Sequence, residues 1–337
     1  MKSFWLFRSN LRNLEDYHQY GNLQDFEKNC WDYYLIMGLW IIRNTDIEEI
    51  VVWRLSKSPK KDIIFELPNK KLFIQRFVKN FDKCFKYKSP VISFWRGGFP
   101  EYDNTIQKKP NHFGTKLYLG ASKRKYPSSK GLYNKILVEA DEDLKKNCIP
   151  FYKIGLPKIF FPIENSEKKY DICWPNNFTQ LKFKGQEYFI DRIAKSKFLR
   201  SLKIIHIGNE EEIGKRLCRK YKVDNIEFIG RKNRHELNEY LNHSKFGLVT
   251  SNLNDGCPRI STEILATGTP LLIRDKTRLL NYYKLKSVRI FDDSNLETVF
   301  MKSFQKYDDL RQKNLEYLKS EFSFDVICQK NLNLWSR

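Results

Sequence analysis

Acidic side chains are scarce in this chain of 337 residues: 40 Asp and Glu stand against 61 Lys and Arg, leaving a net charge of +21. A basic tail is excluded as the source, because residues 1–160 hold 29 cations against 17 anions and the remainder 32 against 23. A positive field of this size attracts nucleic acid, an anionic membrane surface or phosphorylated substrates; compositional drift towards Lys accounts for it equally well. No nucleic-acid motif or concentrated basic segment accompanies the charge, so a nucleic-acid partner is not expected. Paired cysteines are also missing. The seven present (Cys30, Cys84, Cys148, Cys173, Cys218, Cys257 and Cys328) are far apart and never spaced as CxxC, which argues against a zinc cluster or a disulfide framework and fits a reducing compartment. Long apolar runs are absent too. The longest, 33–42, is closed by Asp32 and Arg43 and falls short of the ~20 residues a membrane-spanning helix needs. The apolar patch at 4–7 lacks a small-residue cleavage site, so no signal peptide is expected. A cytoplasmic protein is expected, with peripheral contact at the inner face of an anionic membrane compatible with its charge.

What is present is enough for a packed protein: 41% hydrophobic, 15% aromatic and 30% charged residues, over a length that suits two domains. From about residue 168, short β-branched runs (170–174, 202–207, 225–229, 245–250, 270–273, 288–291) alternate with helical stretches (184–195, 210–221, 234–243, 259–267). Such alternation means βαβ units and a parallel sheet covered on both faces. The first half is less regular, with strands expected at 50–53, 91–95, 116–119 and 136–139 and a helix over 31–44. The proline-containing stretch 149–169 reads as a linker, and 307–322 and 324–335 read as C-terminal helices.

The segment 245–273, KFGLVTSNLNDGCPRISTEILATGTPLLI, carries the chemistry. A strand runs into a loop with Asp255 and Gly256, a helix begins near Pro258 and carries Glu263, and Gly268 stops it before Pro270 opens the next strand. Ligands of open parallel sheets bind beyond the carboxyl ends of strands, where helix N-termini hold anions. Asp255, Gly256, Cys257 and Arg259 are therefore placed where a diphosphate or a sugar would sit.

This segment resembles the retaining GT-B glycosyltransferases, in particular family 4 (group 1), whose signature is an acid, seven residues, a Glu, and then a Gly-Thr-Pro turn. Asp255, Glu263 and 264–270 (ILATGTP) match it. The resemblance implies two Rossmann-like α/β domains facing each other across a cleft, with C-terminal helices packing across both. On that plan 1–160 binds the acceptor, 161–315 binds the nucleotide sugar, and 316–337 is a helix packing back on the first domain. It further implies that Lys184 binds the diphosphate, that Gly208, Gly230 and Arg231 line the nucleotide at strand ends, that Asp255 contacts the transferred sugar, and that Glu263 holds the ribose. The family usually has an Arg five positions before the lysine; Thr179 stands there, leaving Lys182 or Arg259 to supply its charge. Asp255 is also one methylene shorter than the usual Glu. The implied donor is a nucleotide-diphosphate sugar, the acceptor a glycan or lipid-linked glycan, with no metal and no other cofactor. Departure of the diphosphate develops negative charge that Lys184, Arg259 and the helix start would stabilise.

Simpler readings stand beside these. Arg259 and Glu263 are spaced as an i, i+4 surface pair, Asp255 as a turn residue, and Lys184 as a solvated cation. Arg96, Gly97 and Gly98 follow a strand and are acceptor-side candidates or ordinary loop; His112 is a candidate acceptor base or a structural histidine. The alternative functions are a metal-dependent GT-A-type enzyme using Asp141 and Asp143, or a sugar-nucleotide-binding protein or epimerase that does not transfer.

Overall fold

The computed structural model describes residues 2–8, 22–30, 32–56, 61–96, 100–119, 130–138, 148–178, 184–251, 258–275 and 285–336. Contacts divide the chain into two compact units, one of 1–152 with 328–337 and one of 153–327, against expected borders after 160 and 315.

The first unit is built on an eight-stranded sheet of order β3-β4-β2-β1-β5-β6-β7-β8. Its strands are β1 (Ser3–Arg8), β2 (Glu49–Leu55), β3 (Ile63–Glu66), β4 (Leu72–Val78), β5 (Ile92–Arg96), β6 (Thr115–Leu119), β7 (Lys135–Val138) and β8 (Cys148–Pro150). All neighbours pair in parallel except β3 with β4. Among the described residues, the helices α1 (Leu23–Asn29), α2 (Tyr33–Asn44) and α3 (Pro100–Lys108) run between these strands. The central strands are buried on both sides, as parallel strands covered by helices must be. On one side Phe7, Trp53 and Trp95 stand on adjacent strands, with Phe7 stacked on Trp95 at 3.6 Å between ring centroids. On the other α2 packs closely, since a Cβ at Gly38 would lie 3.3–3.5 Å from Leu6, Phe73 and Ile50.

The second unit holds a six-stranded, wholly parallel sheet of order β11-β10-β9-β12-β13-β14. The strands are β9 (Tyr170–Pro175), β10 (Ile204–Ile207), β11 (Ile226–Phe228), β12 (Ser244–Val249), β13 (Leu271–Arg274) and β14 (Val288–Phe291). Between them run α4 (Gln186–Lys195), α5 (Lys197–Ser201), α6 (Glu211–Tyr221), α7 (Arg234–Asn242) and α8 (Arg259–Ala266), followed by α9 (Leu296–Gln305) and α10 (Tyr307–Ser320). The α/β expectation holds in both units. Each sheet also reverses its direction of growth once. From β9 the chain adds β10 and β11 on one side, then returns to place β12 on the other; from β1 it adds β2 and β4 on one side, then returns to place β5 on the other. Strands diverging in this way leave a crevice at the carboxyl ends.

The last helix, α11 (Phe324–Ser336), joins the first unit. Trp335 stacks on Phe151 with planes 8° apart, and Lys135 Nζ donates to the carbonyls of Leu334 and Trp335 at 3.1 and 2.7 Å. Asn331, fully buried, accepts from the Tyr152 amide at 2.9 Å and donates to its carbonyl at 2.8 Å. An amide is the smallest side chain that answers both backbone groups of one extended residue. Asn331→Ala is expected to leave both unsatisfied at a cost of about 2–4 kcal/mol, read from urea unfolding of the first unit.

Candidate functional site

Four loops leave the carboxyl ends of β9, β10, β11 and β12 beside the reversal, and short polar contacts hold them together. The Thr250 hydroxyl after β12 donates to the Lys184 carbonyl at 2.6 Å and accepts from the buried Trp174 indole at 3.2 Å. Gln186, fully buried at the start of α4, donates through Nε2 to Asn176 Oδ1 at 2.7 Å and to the Asn177 carbonyl at 2.6 Å. The Gly208 amide donates to the Gly230 carbonyl at 3.0 Å, and the Asn209 amide to Asn177 Oδ1 at 2.9 Å. Gly208 is required by this approach, since a Cβ there would lie 1.7 Å from the Asn176 carbonyl oxygen. Lys184, Gly208 and Gly230 are thus brought to one end of one sheet, with Arg231 exposed beside them.

α8 starts one residue after Pro258, which serves as its N-cap. Its far end turns at Gly268, whose φ of +74° a side chain would strain. Thr267 and Thr269 bond each other at 2.9 Å, Thr269 Oγ1 donates to the Leu241 carbonyl, and Asn314 of α10 donates to the Leu265 and Thr269 carbonyls at 3.1 and 3.2 Å. The Gly-Thr-Pro turn therefore fixes the helix whose first turns carry Arg259 and Glu263.

Glu263 is 5% exposed. Arg259 Nε lies 3.2 Å from its carboxylate, and Arg234 of α7 donates to the same oxygen. Burial of a carboxylate is costly without such partners. The i, i+4 pair is present, yet it is no simple surface pair, because the carboxylate is withdrawn and a second cation reaches it from another helix. Sequence reasoning missed Arg234. The signal was there: Asn233 and Glu236 form a capping box that sets the start of α7 and so the place of Arg234 beyond β11.

Asp255, Gly256 and Cys257 lie outside the described residues, as do Gly97, Gly98, Asp141, Asp143, Thr179 and Lys182. Arg96 ends β5, its guanidinium 4.2 Å from the ring centroid of Tyr34. His112 is not brought to a carboxyl end. It stands in the turn Pro110–Phe113 that precedes β6, at the amino ends of the strands, with ring nitrogens 3.3 Å from Ser89 Oγ and from the Cys84 carbonyl. The loop leads into a strand rather than out of one. Among the described residues no group of three or more His, Cys, Asp or Glu is placed to hold a metal ion, and no helix is long and apolar enough to cross a membrane.

Residues 157–291 match the family model described as "Glycosyl transferases group 1". A comparison with curated proteins finds no match. Among solved structures, the chain is similar to a sucrose-phosphate synthase from Thermosynechococcus elongatus, at 11% identity and a TM-score of 0.68 over 100% of this chain and 98% of the other. It is similar to the lipopolysaccharide outer core galactosyltransferase WaaB, at 11% identity and 0.65 over 100% and 99%. It is also similar to an α-glucosyltransferase solved with UDP and a 13-mer DNA, at 14% identity and 0.61 over 100% of both chains. These likenesses establish the fold of both units as the GT-B type.

Two outcomes are expected of this site in solution. Arg234→Gln removes one of two cations from a buried carboxylate and should cost about 1–3 kcal/mol in urea unfolding, whereas Arg259→Gln, whose side chain is 45% exposed, should cost less than about 1 kcal/mol. The reverse order would show Glu263 to be held mainly from its own helix. His206 of β10 gives a pH signature. Burial among Trp174, Phe178 and Phe228 pushes its pKa down to about 4. Its neutral folded form is matched by the unfolded chain only above pH ~6.5, so stability is lost as pH falls from there towards 4, by on the order of 3 kcal/mol. His206→Phe should flatten that part of the stability profile.

Proposed function

From the premise that residues 157–291 carry a group 1 glycosyl transferase domain within a GT-B fold, so that the chain is a glycosyltransferase, we propose that it moves a sugar from a nucleotide-diphosphate donor to a glycan or lipid-linked glycan. The donor would occupy the carboxyl ends of β9 to β12, and the acceptor the first unit. The observation that carries this reading is the buried Glu263, set on a helix that starts at the sheet's reversal and held by two arginines from two helices. A carboxylate in that position can accept hydrogen bonds from a ribose diol, and the two guanidinium groups beside it can face phosphates.

The rate-limiting demand in such a transfer is charge. As the anomeric bond lengthens, the sugar becomes oxocarbenium-like and the diphosphate gains negative charge. Lys184, Arg259 and the amide groups opening α8 are our candidates for stabilising it, and a well-placed donor contributes ~3 kcal/mol to such a step. With these cations in place the transfer needs no metal. Asp255 would address the transferred sugar, with retention of its anomeric configuration. A product of surface polysaccharide or glycoconjugate synthesis fits this chemistry, as does peripheral contact with an anionic membrane through the net charge of +21. WaaB, with the same fold, is named for work on lipopolysaccharide, which supports a glycan acceptor.

Calorimetry with UDP, GDP and ADP in EDTA is expected to show binding of one of them. Binding that appears only with Mg²⁺ or Mn²⁺ would instead favour the metal-dependent alternative through Asp141 and Asp143. Glu263→Gln should weaken nucleotide binding by about 1.5–3 kcal/mol, roughly ten- to a hundredfold. Asp255→Asn should leave nucleotide affinity nearly unchanged and lower turnover, since a contact made mainly in the transition state is read in the rate.

A further inference from the structure

The chain enters the second unit at Lys153 and runs first along α7 and α8, the two helices that carry Arg234 and Glu263. Ile154, Ile159 and Phe160 are buried, so this part of the proline-containing stretch is packed as core rather than left as a free tether. It meets α8 through Gly155. The Gly155 amide donates to the Thr262 carbonyl at 3.1 Å, and a Cβ at Gly155 would lie 2.6 Å from the Ala266 Cβ and 3.1 Å from the Cα of Glu263. Carbon atoms in ordinary contact stand about 3.5–4.0 Å apart. Glycine is required here by space, against the backbone of the residue whose carboxylate the two arginines hold.

The same segment meets α7 through two buried amides. Asn238 Oδ1 accepts from the Phe161 amide at 3.1 Å. Asn242 Oδ1 accepts from the Ile163 amide at 2.7 Å, while its Nδ2 donates to the Phe161 carbonyl at 3.0 Å. Asn238 and Asn242 are 3% and 1% exposed. Residues four apart share one stripe of a helix, so Arg234, Asn238 and Asn242 stand in line on α7. The stripe that begins with the cation on Glu263 therefore continues onto the segment that backs Glu263's own helix. A second tie between the helices, Thr269 Oγ1 to the Leu241 carbonyl, lies at their far ends, away from the ion pair.

We propose that Gly155, Asn238 and Asn242 are positioning residues of the donor site, and that the segment 155–163 is the spacer that sets how Arg234 of α7 meets Glu263 of α8. The inference rests on the reading of Glu263 as the group that holds the donor's ribose, and adds to it residues that stand behind that group. A hydrogen bond weakens steeply outside a narrow range of distance and angle, and a misplacement of about 1 Å in a site can cost a hundredfold. A methyl group at 155 has to displace the segment or α8 by about that much to reach ordinary contact with Ala266.

The test uses the full chain, with UDP, GDP and ADP as probes, on variants whose urea transitions show them folded. Gly155→Ala is expected to weaken binding of the nucleotide that the parent takes by about tenfold or more. Adding Ala266→Gly, which removes the nearest obstructing atom, should restore most of that affinity. In Glu263→Gln, Gly155→Ala should change affinity by less than about twofold, because the spacer acts through the same pair. Asn238→Ala, which removes one attachment to α7, is the second variant should Gly155→Ala fail to fold, with a loss of about threefold expected. Unchanged affinity in the folded variant, no recovery with Ala266→Gly, or an undiminished loss in the Glu263→Gln background would each overturn the proposal. A readout without nucleotide separates the spacer from the donor reading. The coupling of Arg234 to Glu263, taken as a ratio of unfolding constants from a double-mutant cycle in urea, is expected to fall by about threefold or more in Gly155→Ala. Equal coupling in parent and variant overturns the spacer, whereas a parent that binds none of the three nucleotides removes the donor reading and leaves the coupling to decide the spacer.

Discussion

A strand can lie parallel to its predecessor only if the chain returns over a face of the sheet before entering it. That constraint governs both units. It delivers the carboxyl end of every parallel strand to the same edge, so that loops distant in sequence become neighbours in space. Where growth of the sheet reverses, at β9 and at β1, two neighbouring strands send their connections to opposite faces and leave room between them. Gly208 and Gly230 meet, and Lys184 meets Thr250, for this reason.

The two reversals are furnished differently. At β9 the strand ends are drawn together by backbone: Gly208 against the Asn176 carbonyl, Thr250 on the Lys184 carbonyl, Gln186 on Asn176 and Asn177. Among the described residues charge enters through the triad of Arg234, Arg259 and Glu263 and through Lys184 and Arg231. At β1 the neighbouring strands carry charge at their ends, in Arg54 of β2 and Arg96 of β5. A backbone-lined end suits a ligand recognised along its length by many weak donors and acceptors.

The second unit was legible because its strands and helices alternate at regular spacing, and because its loop, helix and turn carry a pattern of residue types with a local meaning. Every strand read there is present, with ends moved by a residue or two. The first unit was harder. β1 is only six residues of nearly continuous apolar sequence, and such a run looks the same whether it is a central strand or an N-terminal patch. β4, LFIQRFV, has Gln75 and Arg76 inside its apolar run, which blurs its pattern as a buried strand. The grip of Arg234 on Glu263 could not be read from order along the chain, because it exists only through the meeting of two helices. That the turn holding His112 leads into β6 was equally hidden, since a loop's sequence does not say at which end of a sheet it lies.

The bracket that Asn331 makes around Tyr152 ties the beginning of the second unit's span to its end. The first unit is therefore discontinuous in sequence, with the whole second unit spliced into it. A ribosome releases the chain from its N-terminus, so β1 to β8 emerge with the place of Trp335, between Phe94 and Phe151, still open. Completion of the first unit waits on the last helix, and the second unit has all its residues before the first does. The unit whose synthesis begins first is thus the one whose residues are complete last.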